Sequence, residues 1–293
     1  MKDLGMMHYF LGLEVWQKPG EIVLSQGKYD VEILKRFGMM DCKSMSTPMT
    51  TNLKLLGATT SETVDATLYR QMIGSLMYLM NARPDICFAM NTLSQYMVES
   101  RHVHLIAAKH VLRYLKGTLD YGLRYVADCE FRLVVYTGSD WAGSVTNRKS
   151  TSGCCFSLGE TVIAWRSKKQ MSVAFNTAEA DYIATCSACS EVVWLRKLFS
   201  GLFDLELDVT CIYCDNQSCI KLSENPVLHD KSKHIDIKYQ YIHDMVEKGA
   251  VKLQYVATNE QVADVLTKPL SKVKFEYFRD KLRVVQKDVP RKE

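Results

Sequence analysis

The sequence lacks long apolar runs, a strong excess of one charge and a cysteine framework. No apolar stretch approaches the roughly 18 residues that a membrane-spanning helix needs, and the start MKDLGMMHYF does not have the pattern of a signal peptide. We therefore expect no membrane partner. The formal net charge of +4 at pH 7 is too small to indicate a nucleic-acid partner on its own, although it permits one.

The ten cysteines are scattered, and several lie inside apolar runs. This distribution predicts buried free thiols in a reducing compartment. Two CxxC pairs nevertheless have the spacing of a four-thiolate zinc site. They are Cys186 with Cys189 and Cys211 with Cys214. One pair lies within a helical pattern and the other within a strand-like run, whereas a zinc knuckle needs turns. Core packing is therefore the favoured interpretation, and zinc binding is the alternative.

The length of 293 residues, with 47% of them hydrophobic, suits about two domains. The N-terminal part predicts a β-hairpin, a helix, a polar loop and an all-helical stretch with breaks at Pro84 and Gly117. These cover residues 8–26, 28–39, 40–67 and 68–118. The sequence pattern changes from helical to strand-like near residues 120–130. We therefore divide the chain into an N-terminal part, a C-terminal domain and a terminal helix with tail, at 1–125, 126–272 and 273–293.

One face of the last predicted N-terminal helix is basic. It carries Arg101, His102, His104, Lys109, His110, Arg113 and Lys116. A solvated helix face is the plain interpretation. The alternative is that this face, through Lys109 and Arg113, contacts a phosphate backbone.

The C-terminal domain is predicted to be α/β. Three strand-like runs follow one another, and helices then alternate with two further strands. The strand-like runs are FRLVVYT, GCCFSLG, TVIAWRS, VTCIYC and VKLQYVA, and the helical runs cover 177–199, 216–223, 232–248 and the segment from EQVADVLTK onward. This order favours one mixed sheet with helices on its faces.

Acidic motifs lie at the ends of these strands or at the starts of these helices. They are YTGSDWAG (136–143), TAEADYIA (177–184), YCDNQS (213–218) and NEQVADVLTK (259–268), with the carboxylates Asp140, Glu179, Asp181, Asp215 and Asp264. Because strand ends beside helix N-termini meet at one edge of a sheet, these side chains are expected to converge. Clustered carboxylates repel one another and so indicate divalent cations, and a pair of such ions can hydrolyse a phosphodiester. For any single acid, a helix cap or a surface position is the alternative.

The same motifs resemble the RNase H domain of copia-type retrotransposon Pol polyproteins. The matching phrases are SDWAG with RKSTSG, AWRSKKQ, AEADYIA, VVWLRKL, YCDNQS, KSKHIDIKYQYIHDMV and NEQVADVLTK. The N-terminal part resembles the end of the same polyprotein's reverse transcriptase, through DLGMMHYFLGLEV, YRQMIGSLMYLMNARPDI and AAKHVLRYLKGT. Together these phrases cover nearly the whole chain.

The resemblance implies an RNase H-like five-stranded mixed sheet with flanking helices, preceded by a mostly helical thumb or connection region with a β-hairpin. It implies cleavage of the RNA strand of RNA–DNA hybrids by four carboxylates with two Mg²⁺ ions, or Mn²⁺ in their place. The expected partners are an RNA–DNA hybrid or another nucleic acid and the rest of a reverse transcriptase. The expected location is intracellular, in the cytoplasm, a virus-like particle or the nucleus. The polymerase's Tyr-x-Asp-Asp hairpin is absent from this sequence, so we expect no polymerisation.

The first position of the implied site is changed. The family places a metal-binding Asp where this chain has Gly138. Asp140 stands two residues farther along, on the same strand face but about 6–7 Å away. It could coordinate a metal only if the strand shifted.

The second position is shortened. The family has a Glu where this chain has Asp181, and Glu179 is retained two residues earlier. Residues two apart on a helix face different ways, so only one of these acids can be a ligand. Asp215 and Asp264 match the family without change. We therefore expect an impaired ribonuclease with weakly held metal ions. The alternative is a catalytically dead remnant that keeps the fold and at most binds nucleic acid.

Other candidates carry weaker signals. His234 in SKHIDIKY matches the family and is expected either near the scissile phosphate or in a packing role at a helix N-terminus. Lys168 and Lys169 are candidates for phosphate contacts. Trp141 and Trp165 are expected in the core.

Overall fold

The computed structural model describes residues 6–51, 55, 62–127, 129–144, 146–224 and 233–287, and within the last range the side chains from residue 240 onward. The chain divides into two compact units. The first combines Met1–Cys129 with Pro269–Glu293, and the second is Glu130–Lys268. The second unit is thus an insertion in the sequence of the first. Residues 273–293, which the sequence assigns to a separate helix and tail, are grouped with the first unit.

The first unit contains an antiparallel five-stranded sheet in the order β1-β2-β3-β4-β10. Its strands are β1 (Tyr9–Phe10), β2 (Leu13–Lys18), β3 (Glu21–Ser25), β4 (Tyr121–Val126) and β10 (Val284–Gln286). The predicted hairpin is β2 with β3, and Gly20 supplies the left-handed backbone (φ 74°) of its turn. The strands β4 and β10 are additional to the prediction.

The helices of the first unit follow the predicted pattern. They are α1 (Gly27–Arg36), α2 (Ala66–Leu79), α3 (Cys87–Ser94), α4 (His102–Lys116) and α8 (Lys272–Lys281), with a 3₁₀ helix at Pro84–Ile86. Both predicted breaks fall at helix boundaries. Pro84 opens the 3₁₀ helix, where a missing N–H is tolerated, and Gly117 follows α4.

A buried ion pair ties the 3₁₀ helix to α4. The guanidinium of Arg83 donates to both carboxylate oxygens of Asp85, at 2.9 and 2.8 Å, and to the carbonyl of Thr118 at 3.2 Å. The hydroxyl of Tyr114 donates to Asp85 at 2.5 Å. Because both groups are buried and each is the main partner of the other, removing either one is expected to destabilise the first unit by about 3–5 kcal/mol.

The second unit is built on a five-stranded mixed sheet in the order β7-β6-β5-β8-β9. Its elements are β5 (Leu133–Asp140), β6 (Thr151–Leu158), β7 (Thr161–Lys169), α5 (Thr177–Phe203), β8 (Thr210–Cys214), α6 (Gln217–Glu224), α7 (Lys233–Glu247), β9 (Val251–Tyr255) and a 3₁₀ helix at Val262–Leu266. The strands β5, β6 and β7 are antiparallel, and β5, β8 and β9 are parallel. The predicted mixed sheet with flanking helices is confirmed.

The core of the second unit lies between the sheet and α5. Val135, Phe156 and Ile212 from three strands pack with Tyr182 and Val192 of the helix, and all five are at most 1% exposed. The side chain of Asn176 caps α5 by accepting a hydrogen bond from the Glu179 N–H at 2.9 Å. This hydrogen bond fixes the first turn of α5.

The zinc alternative for the two CxxC pairs is wrong. Cys186 and Cys189 lie along α5, Cys211 and Cys214 lie along β8, and none of the four is in a disulfide. Within the described part of the chain, no three cysteines bring their sulfur atoms within ligand distance of one another. Burial also raises the pKa of the Cys189 thiol, which disfavours the thiolate that zinc requires. Core packing is the role that the structure supports.

Within the described residues, no helix combines the length and the apolar character that crossing a membrane requires.

Gly153 of β6 provides a test of the packing between the sheet and the second 3₁₀ helix. A Cβ at Gly153 would lie 2.7 Å from Thr267 Cγ2 and 3.0 Å from the carbonyl oxygen of Ala263. Gly153→Ala is therefore expected to destabilise the second unit by about 1–3 kcal/mol, measured by hydrogen exchange of its amides. Gly138, its partner in the β5–β6 register, is the matched control. A Cβ there meets nothing closer than Gln261 at 3.8 Å, so equal losses in the two alanine variants would contradict this packing.

Candidate active site

Three of the predicted carboxylates line one pocket of about 330 Å³ in the second unit. They are Asp181 of α5, Asp215 at the end of β8 and Asp264 of the second 3₁₀ helix. The other lining residues are Gly138, Ser139, Trp141, Thr177, Asn216, Gln217, Ser218 and Lys268. The pocket therefore lies at the carboxyl ends of the parallel strands β5 and β8, where α/β folds commonly place their sites.

Asp181 is held by three hydrogen bonds from two other elements. Its Oδ1 accepts from both the N–H and the hydroxyl of Ser139, each at 2.8 Å, and its Oδ2 accepts from the Asn216 amide at 2.9 Å. The Ser139 N–H is available because β8 pairs with β5 only along residues 134–136. Burial raises the pKa of Asp181, these hydrogen bonds oppose the rise, and the nearby Asp215 adds to it, so that the resulting pKa is about 6.

Asn216 is a site residue that the sequence analysis missed. Its Oδ1 accepts from the N–H groups of Ser218 and Cys219 at 3.0 and 3.2 Å, which caps α6. Its side-chain nitrogen simultaneously donates to Asp181. The signal was present, since an Asn immediately before a predicted helix is a common cap, and this one directly follows Asp215.

Asp264 is 5% exposed and forms an ion pair. The ammonium of Lys268, one helical turn later, lies 2.8 Å from its Oδ1 and also lines the pocket. Gln261 anchors this segment to β5 by donating to the carbonyl of Thr137 at 3.0 Å. A lysine ammonium of the chain thus lies beside Asp264 in the pocket, and the sequence analysis did not identify this lysine.

Gly138 leaves space in the pocket wall. The nearest atom to a Cβ built there is Gln261 Nε2 at 3.8 Å, an ordinary van der Waals distance, and its backbone lies outside the left-handed region. A side chain at this position would therefore fit without strain. The absence of a carboxylate here reflects the residue type and not a lack of room.

The structure does not bring Asp140 to the pocket. Its Oδ1 accepts from the N–H of Thr151, the first residue of β6, and its Oδ2 lies against Gly143 in the hairpin loop. Burial raises the pKa of Asp140 to about 7. The backbone N–H of the hairpin thus attracts this carboxylate, which was considered as a replacement metal ligand, away from the site.

Glu179 also lies outside the pocket. Its Oε2 accepts from the N–H of Phe175 at 2.9 Å, so it holds the chain that enters α5 in a variant of the capping box. Of the two acids in the second motif, Asp181 faces the pocket and Glu179 has the structural role.

The three pocket carboxylates are not tightly clustered. In the described residues, the only His, Cys, Asp or Glu trio with ligand atoms all within 4.8 Å of one another is His243, Asp244 and Glu247 on α7. Asp181, Asp215 and Asp264 therefore surround the pocket without forming a compact ligand set. The side chain of His234 lies outside the described residues.

The predicted basic face of α4 is interrupted by packing within the first unit. His104 is 2% exposed, and Nε2 of His110 lies 2.9 Å from the Thr47 carbonyl. Burial lowers the pKa of both imidazoles, so neither adds charge at neutral pH. Arg113 donates to the Lys43 carbonyl at 2.7 Å, whereas Lys109 is exposed. The polar loop that the sequence left unplaced thus covers part of this face.

The remaining candidates are at the surface of the second unit. Lys168 is exposed on the edge strand β7, and the ammonium of Lys169 donates to the Ser144 hydroxyl at 2.8 Å. Trp165 is partly buried. The expectation that Trp141 lies in the core is wrong, because its side chain is 51% exposed and lines the pocket.

The raised pKa values predict how the stability of the second unit depends on pH. Asp140 and Asp181 bind protons more tightly in the folded state, near pH 7 and 6, than in the unfolded state, where the ordinary value is 3.8. Their stabilising contribution is therefore complete below about pH 4 and is lost as pH rises through 6 to 7. Hydrogen exchange of the second unit between about pH 5 and pH 8 measures this trend.

Asp140→Asn should flatten that profile and be more stable than the parent chain at the alkaline end. Asp208→Asn, at an exposed carboxylate of the same unit, is the control and should leave the profile unchanged. A parent profile that rises with pH across this interval would contradict the assignment.

Comparison with known proteins identifies relatives of the chain. No protein-family profile matches it. It is 40% identical over 286 residues to the retrovirus-related Pol polyprotein from transposon RE2 of Arabidopsis thaliana, covering 98% of this chain and 20% of that protein. It is 37% identical over 289 residues to the corresponding polyprotein from transposon TNT 1-94 of Nicotiana tabacum, covering 96% and 22%. An uncharacterized mitochondrial protein of Arabidopsis thaliana is 39% identical over 194 residues, 80% of its length.

Solved structures show weaker likeness. The N-terminal RNase H domain of a Mycobacterium tuberculosis protein matches 52% of this chain and 98% of its own, with 12% identity and a TM-score of 0.36. The foamy viral protease-reverse transcriptase in complex with RNA/DNA hybrid matches 97% of this chain and 31% of its own, with 15% identity and a TM-score of 0.48. The chain spans about a fifth of the length of the Pol polyproteins that it matches. On the strength of the sequence identities, it belongs to the retrovirus-related Pol polyproteins of transposons.

Proposed function

We propose that the second unit is a ribonuclease H domain for RNA–DNA hybrids whose catalysis is strongly impaired in this chain. The observation that carries the proposal is the pocket that collects Asp181, Asp215 and Asp264 where β5 and β8 end, with Gly138 as its open wall. The arrangement retains three of the four carboxylate positions that the resemblance implies. The fourth position has the space for a side chain and lacks the carboxylate.

The carboxylates of the pocket are the type of ligand that a divalent cation prefers. Carboxylate oxygens are the ligands that Mg²⁺ and Mn²⁺ prefer, and Asp215 and Asp264 would hold such an ion, with Asp181 beside them. A bound ion of this type activates a water molecule and stabilises the leaving oxygen of a phosphodiester. However, both oxygens of Asp181 already accept hydrogen bonds, and Asp264 faces an ammonium. The residues therefore support weaker metal binding than a complete four-carboxylate site.

Two polar residues of the pocket have different roles, one toward a substrate and one in the shape of the site. The ammonium of Lys268 is partly exposed and can meet a phosphate oxygen while it neutralises Asp264. Asn216 keeps Asp181 in place and so fixes the pocket wall between α5 and α6. These contacts preserve the shape of the site independently of catalysis.

The second candidate function is that of a catalytically dead remnant that binds nucleic acid. It is favoured by the same engaged oxygens of Asp181 and Asp264, because two of the three pocket carboxylates already have partners within the chain. The two candidates differ in whether a carboxylate at position 138 is sufficient to restore cleavage.

The decisive variant is Gly138→Asp. With labelled RNA–DNA hybrid in Mg²⁺ or Mn²⁺, we expect it to cleave the RNA strand at least about tenfold to a hundredfold faster than the parent chain. Gly138→Asn is the matched control, since it has nearly the same shape without the charge. Adding Asp215→Asn to Gly138→Asp should abolish the gain. Equal activity of the Asp and Asn variants would refute the role of the missing carboxylate.

Lys268 should oppose metal binding in the parent chain. Lys268→Met removes the ammonium beside Asp264 and is expected to raise the affinity for Mn²⁺ by about tenfold, measured by electron paramagnetic resonance of free Mn²⁺. Lys221→Met, at an exposed lysine of α6 away from the pocket lining, serves as the control. An affinity that falls or stays constant in Lys268→Met would show that the ion pair does not compete with the metal.

A further inference from the structure

An apolar segment is exposed immediately beside the pocket. Between β7 and α5, the side chains of Met171, Val173 and Phe175 are 84%, 47% and 81% exposed, while the intervening Ala174 is 4% exposed. The segment lies outside the helices and strands, and its three large apolar side chains are open to solvent. Large apolar side chains grouped in this way on a surface usually mark a contact site.

The backbone of this segment is fixed at both ends. The Gln170 N–H donates to the Ser150 carbonyl at 2.8 Å, and the Gln170 side chain donates to the Ser152 hydroxyl and the Ala180 carbonyl at 2.9 and 2.8 Å. At the other end, the Phe175 N–H donates to Glu179 at 2.9 Å. The exposed side chains are therefore presented by a positioned segment, which reduces the entropy lost when a ligand binds.

Trp141 connects this segment to the pocket. Its indole N–H donates to the carbonyl of Ala174 at 3.4 Å, and its ring, 51% exposed, lines the pocket with Asp181. We call Trp141, Met171, Val173 and Phe175 the apolar rim. The apolar rim thus offers two aromatic rings, one of which lines the pocket.

The surroundings of the apolar rim are basic. The edge strand β7 ends in Lys168 and Lys169, directly before the segment, and Lys149 of the hairpin loop lies close enough to repel Lys169. Burial lowers the pKa of Lys169, and repulsion from Lys149 lowers it further. An anionic ligand would relieve the repulsion.

We propose that the apolar rim binds unpaired nucleotides next to the RNA–DNA hybrid, so that the favoured substrate is a hybrid with a single-stranded extension. This proposal rests on the proposed function of the pocket. Aromatic side chains stack on bases of any sequence, and surrounding cations contact the phosphates of the same strand. Bases inside a duplex are already stacked on one another, so exposed rings gain most from a strand whose bases are unpaired.

The test compares binding of the full chain to blunt and extended RNA–DNA hybrids in EDTA, where metal-dependent cleavage cannot occur. The extension is about six unpaired nucleotides, placed on the RNA strand or on the DNA strand. Fluorescence anisotropy should show about tenfold tighter binding of at least one extended hybrid. Phe175→Ser should remove most of that difference and leave the affinity for blunt hybrid within about twofold, and Trp141→Ala should also remove the difference. Phe175→Tyr, which keeps an aromatic ring, should retain it.

Two exposed aromatic residues of the same unit provide matched controls. Trp194 and Phe203 lie on α5 and are 55% and 65% exposed. Trp194 follows Asp181 by 13 residues, which is about 20 Å along a helix. Trp194→Ala and Phe203→Ser should keep the preference for the extended hybrid. Thermal unfolding of every variant confirms that the fold is retained.

The outcomes separate this proposal from the proposed function. If the extensions add no affinity, or if the α5 controls lose the preference as the rim variants do, the apolar rim does not bind unpaired nucleotides. That result, together with cleavage by Gly138→Asp, leaves the proposed function intact. If the preference for the extended hybrid depends on the apolar rim but Gly138→Asp does not cleave, the rim binds unpaired nucleotides and the ribonuclease assignment is overturned.

Discussion

The hydrogen bonds of Asp181 hold the candidate site together. One buried carboxylate joins α5 to the end of β5 through Ser139 and to the start of α6 through Asn216. Burying such a group is unfavourable without these partners, so the three elements must meet for the second unit to reach its lowest free energy. The position of the pocket is therefore a consequence of the fold's own polar pairing, and it does not depend on a bound ion.

The sheet and its helices could be predicted because their signals are local. Apolar runs and helix caps indicate β5 to β9 and α5 to α7, and strand ends indicate where acids converge. The sequence could not show which acids would reach the pocket. Asp140 is drawn to a hairpin N–H and Glu179 to the chain before α5, contacts that depend on the exact path of the backbone. The ion pair between Asp264 and Lys268 could have been predicted, because Lys268 follows Asp264 by four residues.

The pocket has a lower electrostatic cost than a four-carboxylate site. Gly138 removes one negative charge, Lys268 offsets a second at Asp264, and burial favours the protonated form of Asp181. Carboxylates without metal repel one another, so these features stabilise the empty pocket while they weaken its attraction for divalent ions. A loss of catalytic charge can thus be neutral or favourable for folding, which is the common trade-off between activity and stability.

The strand β10 has a consequence for how the chain is made. It pairs with β4 through Val284, Val285 and Gln286, and the Lys287 N–H donates to the Asp120 carbonyl at 2.7 Å. These partners are more than 150 positions apart in the sequence, with the whole second unit between them. A ribosome delivers the chain from its N-terminus, at roughly 5–20 residues per second. The inserted unit can therefore fold during synthesis, while the sheet that began first must wait for its last strand to emerge.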